Sequence, residues 1–212
     1  MKINTEYYHT NLQKLPATGQ HIVAYQTDNQ IVVYQAYKKS IADFAVKHQQ
    51  LGGSEFSYSR MSWVKPNFLW MMFRCGWAQK ENQERVLAIW IDKSDFDKLL
   101  QQAVLSSYDR QYYENHEAWR TELETKEVRL QWDPDHDPYG DKITRRALQL
   151  GLKGRVLEEF GKKDIRLVED VTDFVKEQCQ FVAAHQLDKL LVPDERVYKP
   201  ADLELCKRIG VD

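Results

Sequence analysis

The chain has 212 residues, 42% of them apolar and 29% charged, with a formal net charge of −2. That balance excludes a solvated, disordered chain, and it leaves no global field to draw the protein to DNA or to an anionic membrane, so any phosphate recognition must be local. One compact unit over residues 1–212 is expected, large enough to bury most of its apolar surface. The longest apolar run, residues 68–73, is six residues, against roughly twenty for a bilayer span. The start, MKINTEYYHTNLQKLP, lacks the apolar segment of a signal peptide. Cys75, Cys179 and Cys206 are widely spaced with no CxxC pattern, which fits a reducing compartment and argues against a structural zinc site. A cytoplasmic protein with no membrane partner is the expectation.

Residues 21–25 and 31–37 are short runs rich in β-branched and aromatic residues, separated by Thr27-Asp28-Asn29-Gln30, and predict a hairpin. The second run feeds a helix, with Ser40 and Asp43 at capping-box spacing and Gly52-Gly53 as its stop. Pro66 suits the first turn of a second helix whose interior, residues 68–73, is apolar all round and whose exit is Gly76. Residues 85–92 (RVLAIWID) read as a buried strand, followed by a helix capped by Ser94 and Asp97. Residues 106–126 form an exposed helix or excursion. Val128, Leu130 and Trp132 alternate with Arg129 and Gln131 as in a half-buried strand. Helical patterns are predicted over 141–150, 154–160 and 172–185, with a short one after Pro200. The expected class is α+β: a mixed or antiparallel sheet in the first two-thirds with helices packed on it, and a helical C-terminal third.

The runs at 31–37 (IVVYQAY), 60–77 (RMSWVKPNFLWMMFRCGW) and 132–140 (WDPDHDPYG), in that order and at those separations, resemble a family known as domain of unknown function 4291. The resemblance extends from the first hairpin to the segment around residues 193–198, and the aromatic block is the part most specific to it. It implies no activity, since the family carries none that transfers to these residues.

Three constellations carry candidate chemistry. Residues 56–77 hold seven aromatic side chains with Arg60, Lys65 and Arg74 interleaved. Flat apolar faces beside fixed cations can sandwich a base or nicotinamide and neutralise its phosphates, with Trp63, Trp70 or Trp77 stacking. The same composition also serves as ordinary core. Arg60 and Arg74 are the stronger candidates, because a cation embedded in an apolar stretch needs an anionic partner, whether ligand or protein carboxylate. The acidic segment around Asp133, Asp135, His136 and Asp137 offers acid/base groups, Asp133 and His136 foremost. Its spacing matches no calcium loop, no metal is assigned to it, and Asx turns beside Pro134 and Pro138 explain it equally. At the end of the second run, Tyr34, Gln35 and Tyr37 can reach a ribose or base edge, while alternation alone would place Tyr34 on one sheet face and Gln35 and Tyr37 on the other.

No nucleophile elbow, Walker loop, GxGxxG or HExxH is present, and only nine glycines are available. Side chains, more than a glycine-rich backbone cradle, would therefore hold a phosphate. ADP-ribosyltransferases work in that way, NAD lying across a split sheet, and the order of elements here is compatible with them as a fold-level analogy. The leading reading is an enzyme acting on a nucleotide of the NAD type, or on a nucleic-acid end. The alternative is a non-catalytic module that grips single-stranded RNA or a peptide through the same surface.

Overall fold

The computed structural model describes residues 1–212. In chain order the elements are β1 (Thr5–Tyr7), α1 (Tyr8–Lys14), β2 (Ile22–Tyr25), β3 (Gln30–Tyr37), α2 (Lys39–His48), β4 (Ser62–Val64), α3 (Phe68–Cys75), β5 (Arg85–Asp92), α4 (Lys93–Gln102) and β6 (Ala103–Leu105). There follow α5 (His116–Thr125), β7 (Val128–His136), β8 (Lys142–Leu152), α6 (Gly154–Glu159) running into a π-helical turn (Phe160–Asp164), β9 (Ile165–Asp170), α7 (Thr172–Ala183), β10 (Leu191–Pro193), β11 (Glu195–Tyr198) and α8 (Leu203–Ile209). The class is α+β with eight α-helices spread along the whole chain.

Two sheets organise the molecule. One has the order β3-β5-β9 and is antiparallel throughout; the other has the order β4-β8-β7-β6 and is antiparallel except for the β6–β7 pair. Short pairs β1-β10 and β11-β2 flank them. The β3–β5 ladder is buried on both faces, which explains its near-continuous apolar sequence. On one side Ile31, Val33, Leu87 and Ile89 pack with Phe96, Leu130, Leu148 and Leu150; on the other Val32, Tyr34, Val86 and Trp90 pack with Phe68, Met71, Met72 and Val175.

Several local expectations are corrected. The hairpin of the first two strands forms its turn, with Thr27 N–H donating to the Gln30 carbonyl at 2.9 Å and a single Gln26–Ile31 rung. The strands then part, because β2 pairs with β11 and β3 with β5. The C-terminal third is not purely helical. Residues 142–152 are the strand β8, whose apolar positions Leu148, Leu150 and Leu152 satisfy ladders to β7 and β4, and β9, β10 and β11 also fall in this part of the chain.

The two anticipated capping boxes are absent as well. Strands β3 and β5 run straight into α2 and α4, so Lys38 and Asp92 are the cap positions and neither caps through its side chain. Asp92 instead accepts from Arg166 Nε at 2.8 Å and Gln30 Nε2 at 3.3 Å. Helix α3 follows Pro66 and starts with the Asn67 side chain accepting from Trp70 N–H at 2.6 Å; it ends at Gly76 in the left-handed conformation. It is not buried all round, since Phe73 and Arg74 are both exposed.

Candidate functional site

The edge of β3 meets the edge of β4 at one rung, Tyr34 opposite Lys65. Toward the C-terminal end of β3 the backbones separate and side chains bridge the gap. Gln35 Nε2 donates to Ser62 Oγ at 3.3 Å, and the Tyr37 and Ser62 hydroxyls lie 2.9 Å apart. Burial pushes the Tyr37 hydroxyl up to about 12, opposed by its hydrogen bonds to Ser62 and Gln35, so it stays a neutral donor and acceptor. Around this gap lie two chambers that share Gln35 and Met61 in their walls. The outer chamber, about 450 Å³, is lined by Gln35, Tyr37, Ile41, Phe56, Arg60, Ser62 and Asn82 among others, with a Lys38–Glu55 ion pair in its wall. The inner one, about 240 Å³, is lined by Gln35, Trp63, Lys65, Met71, Arg74, Gln83 and Gln149 among others.

Met61 and Trp63 sit above Gly151 of β8. A Cβ there would lie 2.6 Å from Met61 Sδ and 3.0 Å from the Trp63 ring, so glycine is what lets these side chains lie over the strand.

Arg60 and Arg74 both reach the cleft, one in each chamber, and both are exposed. Neither guanidinium forms an ion pair or a hydrogen bond within the chain; Arg85, Arg120, Arg145, Arg166 and Arg196 each pair with a carboxylate, while Arg110, Arg146 and Arg155 are also unpaired but lie outside the cleft. Lys65 is only 2% exposed, and its ammonium donates to the Trp63 carbonyl at 2.9 Å. Burial brings it down to about 7; Arg74 adds to the fall, and the charge of Asp133 opposes it. Asp133 is held by Gln131 Nε2 at 2.8 Å and by Gln149 Nε2 at 2.7 Å, which ties it to the wall of the inner chamber.

The remaining sequence candidates lie elsewhere. Tyr34 points into the core against Phe68, fully buried with its hydroxyl unpartnered. Trp70 is core, and Trp77 packs on Phe68 with its Nε1 donating to the Pro138 carbonyl at 3.2 Å. None of these three lines either chamber of the cleft.

His136 also departs from the expected acid/base position. Its ring stacks on Phe73 at 3.6 Å and on Trp70 at 5.0 Å, both nitrogens lack partners, and burial lowers its basicity. Asp135 forms a buried pair with Arg145 at 2.6 Å, and Asp137 accepts from Tyr139 N and Asp141 N at 2.9 Å in an Asx turn. No three His, Cys, Asp or Glu side chains are arranged to hold a metal.

Ser62, Gln149 and Asn82 are cleft residues that sequence reasoning missed. Only Ser62 left a signal, standing between two candidates in the aromatic block; Gln149 reaches the cleft through the β8 pairing alone.

The chain belongs to the family described as Domain of unknown function (DUF4291), whose profile matches residues 21–198 and so includes both chambers. No curated protein matches the chain significantly. No helix is long and apolar enough to cross a membrane.

Proposed function

We propose that the cleft between β3 and β4 binds a phosphate-bearing nucleotide of the NAD type, and that the protein is a cytoplasmic enzyme acting on it. The observation that carries this reading is the pair of exposed, unpartnered guanidinium groups of Arg60 and Arg74 on one concave site. Arg110, Arg146 and Arg155 are also without a side-chain partner but line neither chamber; at the cleft two such groups share one concavity, and guanidinium geometry suits phosphate. Trp63 supplies an aromatic wall, and the Gln35–Ser62–Tyr37 network presents donors and acceptors suited to a ribose or base edge. Asp133, beside Lys65, is the acid/base candidate. The position of the cleft where two sheets part supports the ADP-ribosyltransferase analogy as one of arrangement. Three free cysteines fit a reducing compartment.

Thermal denaturation with NAD, ADP-ribose and AMP tests the reading. A ligand at about 100 times its dissociation constant stabilises by about 2.7 kcal/mol, worth about 5–10 °C for a chain of this size. Absence of any shift, together with salt-sensitive binding of a short single-stranded RNA, would replace the nucleotide enzyme with an RNA-binding module.

A further inference from the structure

Lys65 is the one lysine of the chain that is buried. It lies in the wall of the inner chamber, makes a single hydrogen bond to a backbone carbonyl, and shares that chamber with the cation of Arg74. An amine kept from water beside another cation is activated as a nucleophile, because its charged form is the costly one. An amine that donates one hydrogen to the Trp63 carbonyl keeps its lone pair free. Gln35 and Gln149 place amide groups in the same walls, where they can hold a carbonyl oxygen, and Arg74 can hold an anion.

We infer that Lys65 Nζ is a reactive amine that captures a phosphate-bearing aldehyde as a reversible Schiff base, the phosphate being held by Arg74. The aldehyde is the open-chain form of a sugar phosphate or of a nucleotide with a free anomeric carbon. The Nζ lone pair attacks the carbonyl carbon, a C–N bond forms, and a proton passes from nitrogen to oxygen. The carbinolamine takes a further proton from solvent and expels water, leaving a protonated C=N. The groups whose charges act on Lys65 are Arg74 and Cys75 of α3 and Asp133 of β7. Burial holding the amine near 7 makes its neutral form abundant at neutral pH. This deepens the nucleotide reading by assigning the inner chamber, and the two can fail separately: a thermal shift with NAD alongside an unmodified Lys65 would remove the amine chemistry and leave the nucleotide site.

The test uses the full chain with ribose 5-phosphate, ADP-ribose or unphosphorylated ribose in cyanoborohydride at pH 7, with adducts located by peptide mass spectrometry. Lys65 is expected to be modified ahead of every exposed lysine, and more slowly by ribose than by either phosphate compound. Faster labelling by ADP-ribose than by ribose 5-phosphate identifies the nucleotide as the source, and the reverse order identifies the sugar phosphate. Arg74→Ala should slow labelling at Lys65 by ribose 5-phosphate about tenfold more than labelling by ribose, the value of one charge-assisted contact beyond the loss of the cation that activates the amine. Raising the pH from 7 to 9 should accelerate exposed lysines by up to about a hundredfold while Lys65 changes little. Adducts spread over exposed lysines with Lys65 unmodified would overturn the inference. Equal labelling of Lys65 by ribose and ribose 5-phosphate, in the wild type and in Arg74→Ala alike, would overturn the phosphate assignment.

Discussion

Tyr34 and Lys65 exchange both of their backbone hydrogen bonds, at 2.7 and 3.0 Å, and form the single rung between the β3-β5-β9 sheet and the β4-β8-β7-β6 sheet. The two walls of the cleft therefore belong to different sheets, and this rung fixes how they meet. Its two side chains serve different ends. Lys65 enters the inner chamber, while Tyr34 goes into the core with a hydroxyl that has no partner. A buried unpaired hydroxyl costs about 1–3 kcal/mol. Tyr34→Phe is accordingly expected to stabilise by about 1 kcal/mol, raising Tm by about 2–4 °C, with nucleotide binding retained. A lower Tm for the Phe variant would mean that the hydroxyl has a partner after all.

Arg60→Ala and Arg74→Ala should separate binding from stability. Both side chains are exposed and unpaired, so each substitution should change stability by no more than about 0.5 kcal/mol. Each should weaken nucleotide affinity by about tenfold or more. Calorimetric titration beside a denaturant melt reads both quantities. Unchanged affinity in the double variant would remove the cleft as a phosphate site.

Trp70→Ala should behave in the opposite way. The indole is 6% exposed and stacks on Phe73 at 5.3 Å and on His136 at 5.0 Å, so its loss opens a cavity in an aromatic stack. A cost of about 3–5 kcal/mol is expected. Chemical denaturation measures it, and a loss below about 1 kcal/mol would show that the stack contributes little.

Much of the site was legible because alternation is local. Gln35 and Tyr37 share a face away from Tyr34, as residues 31–37 suggest, and Arg60, Lys65 and Arg74 do gather at one cleft. The failures have long-range causes. His136 sits at the end of β7, where α3 covers it, a fact of helix placement that spacing cannot carry. Residues 142–152 are the exception: Leu148, Leu150 and Leu152 recur every second residue, a local strand pattern that the helical expectation over 141–150 misread, and the ladders to β7 and β4 follow it. Asp133 reads as one acid among several; its link to the cleft comes from Gln149, sixteen residues along on the neighbouring strand.

Glu195 predicts a pH dependence of stability. It is 4% exposed and accepts from Phe68 N–H at 2.8 Å, joining β11 to the first turn of α3. Burial pushes its carboxyl well above the ordinary range, the Phe68 bond opposing and Asp135 adding to the rise. A raised folded value means that its contribution is fully present below the unfolded value, about 4.3, and is lost as pH rises through the folded one. Glu195→Gln keeps an acceptor for Phe68 and cannot ionise. It should be more stable than the wild type at pH 8 and close to it at pH 4. Equal stabilities at both pH values would show that the wild-type carboxylate is ionised without penalty.

Lys65 gives the opposite slope over a different window. Its amine falls to about 7 in the folded chain, against about 10.4 when unfolded. A depressed folded value means that stability is greatest above about 10.4 and declines as pH drops toward 7, where the unfolded chain binds the proton more readily. Lys65→Met fills a similar volume without the charge. At pH 7 it should be more stable than the wild type by an amount on the order of a few kcal/mol, since each tenfold loss of proton affinity on folding costs about 1.4 kcal/mol. That advantage should shrink steadily toward pH 10.5. Urea melts of both proteins across pH 7–10.5 read the difference directly. Parallel curves would show that the amine is hydrated and charged in the folded state, and the nucleophile assigned to the inner chamber would fall with it.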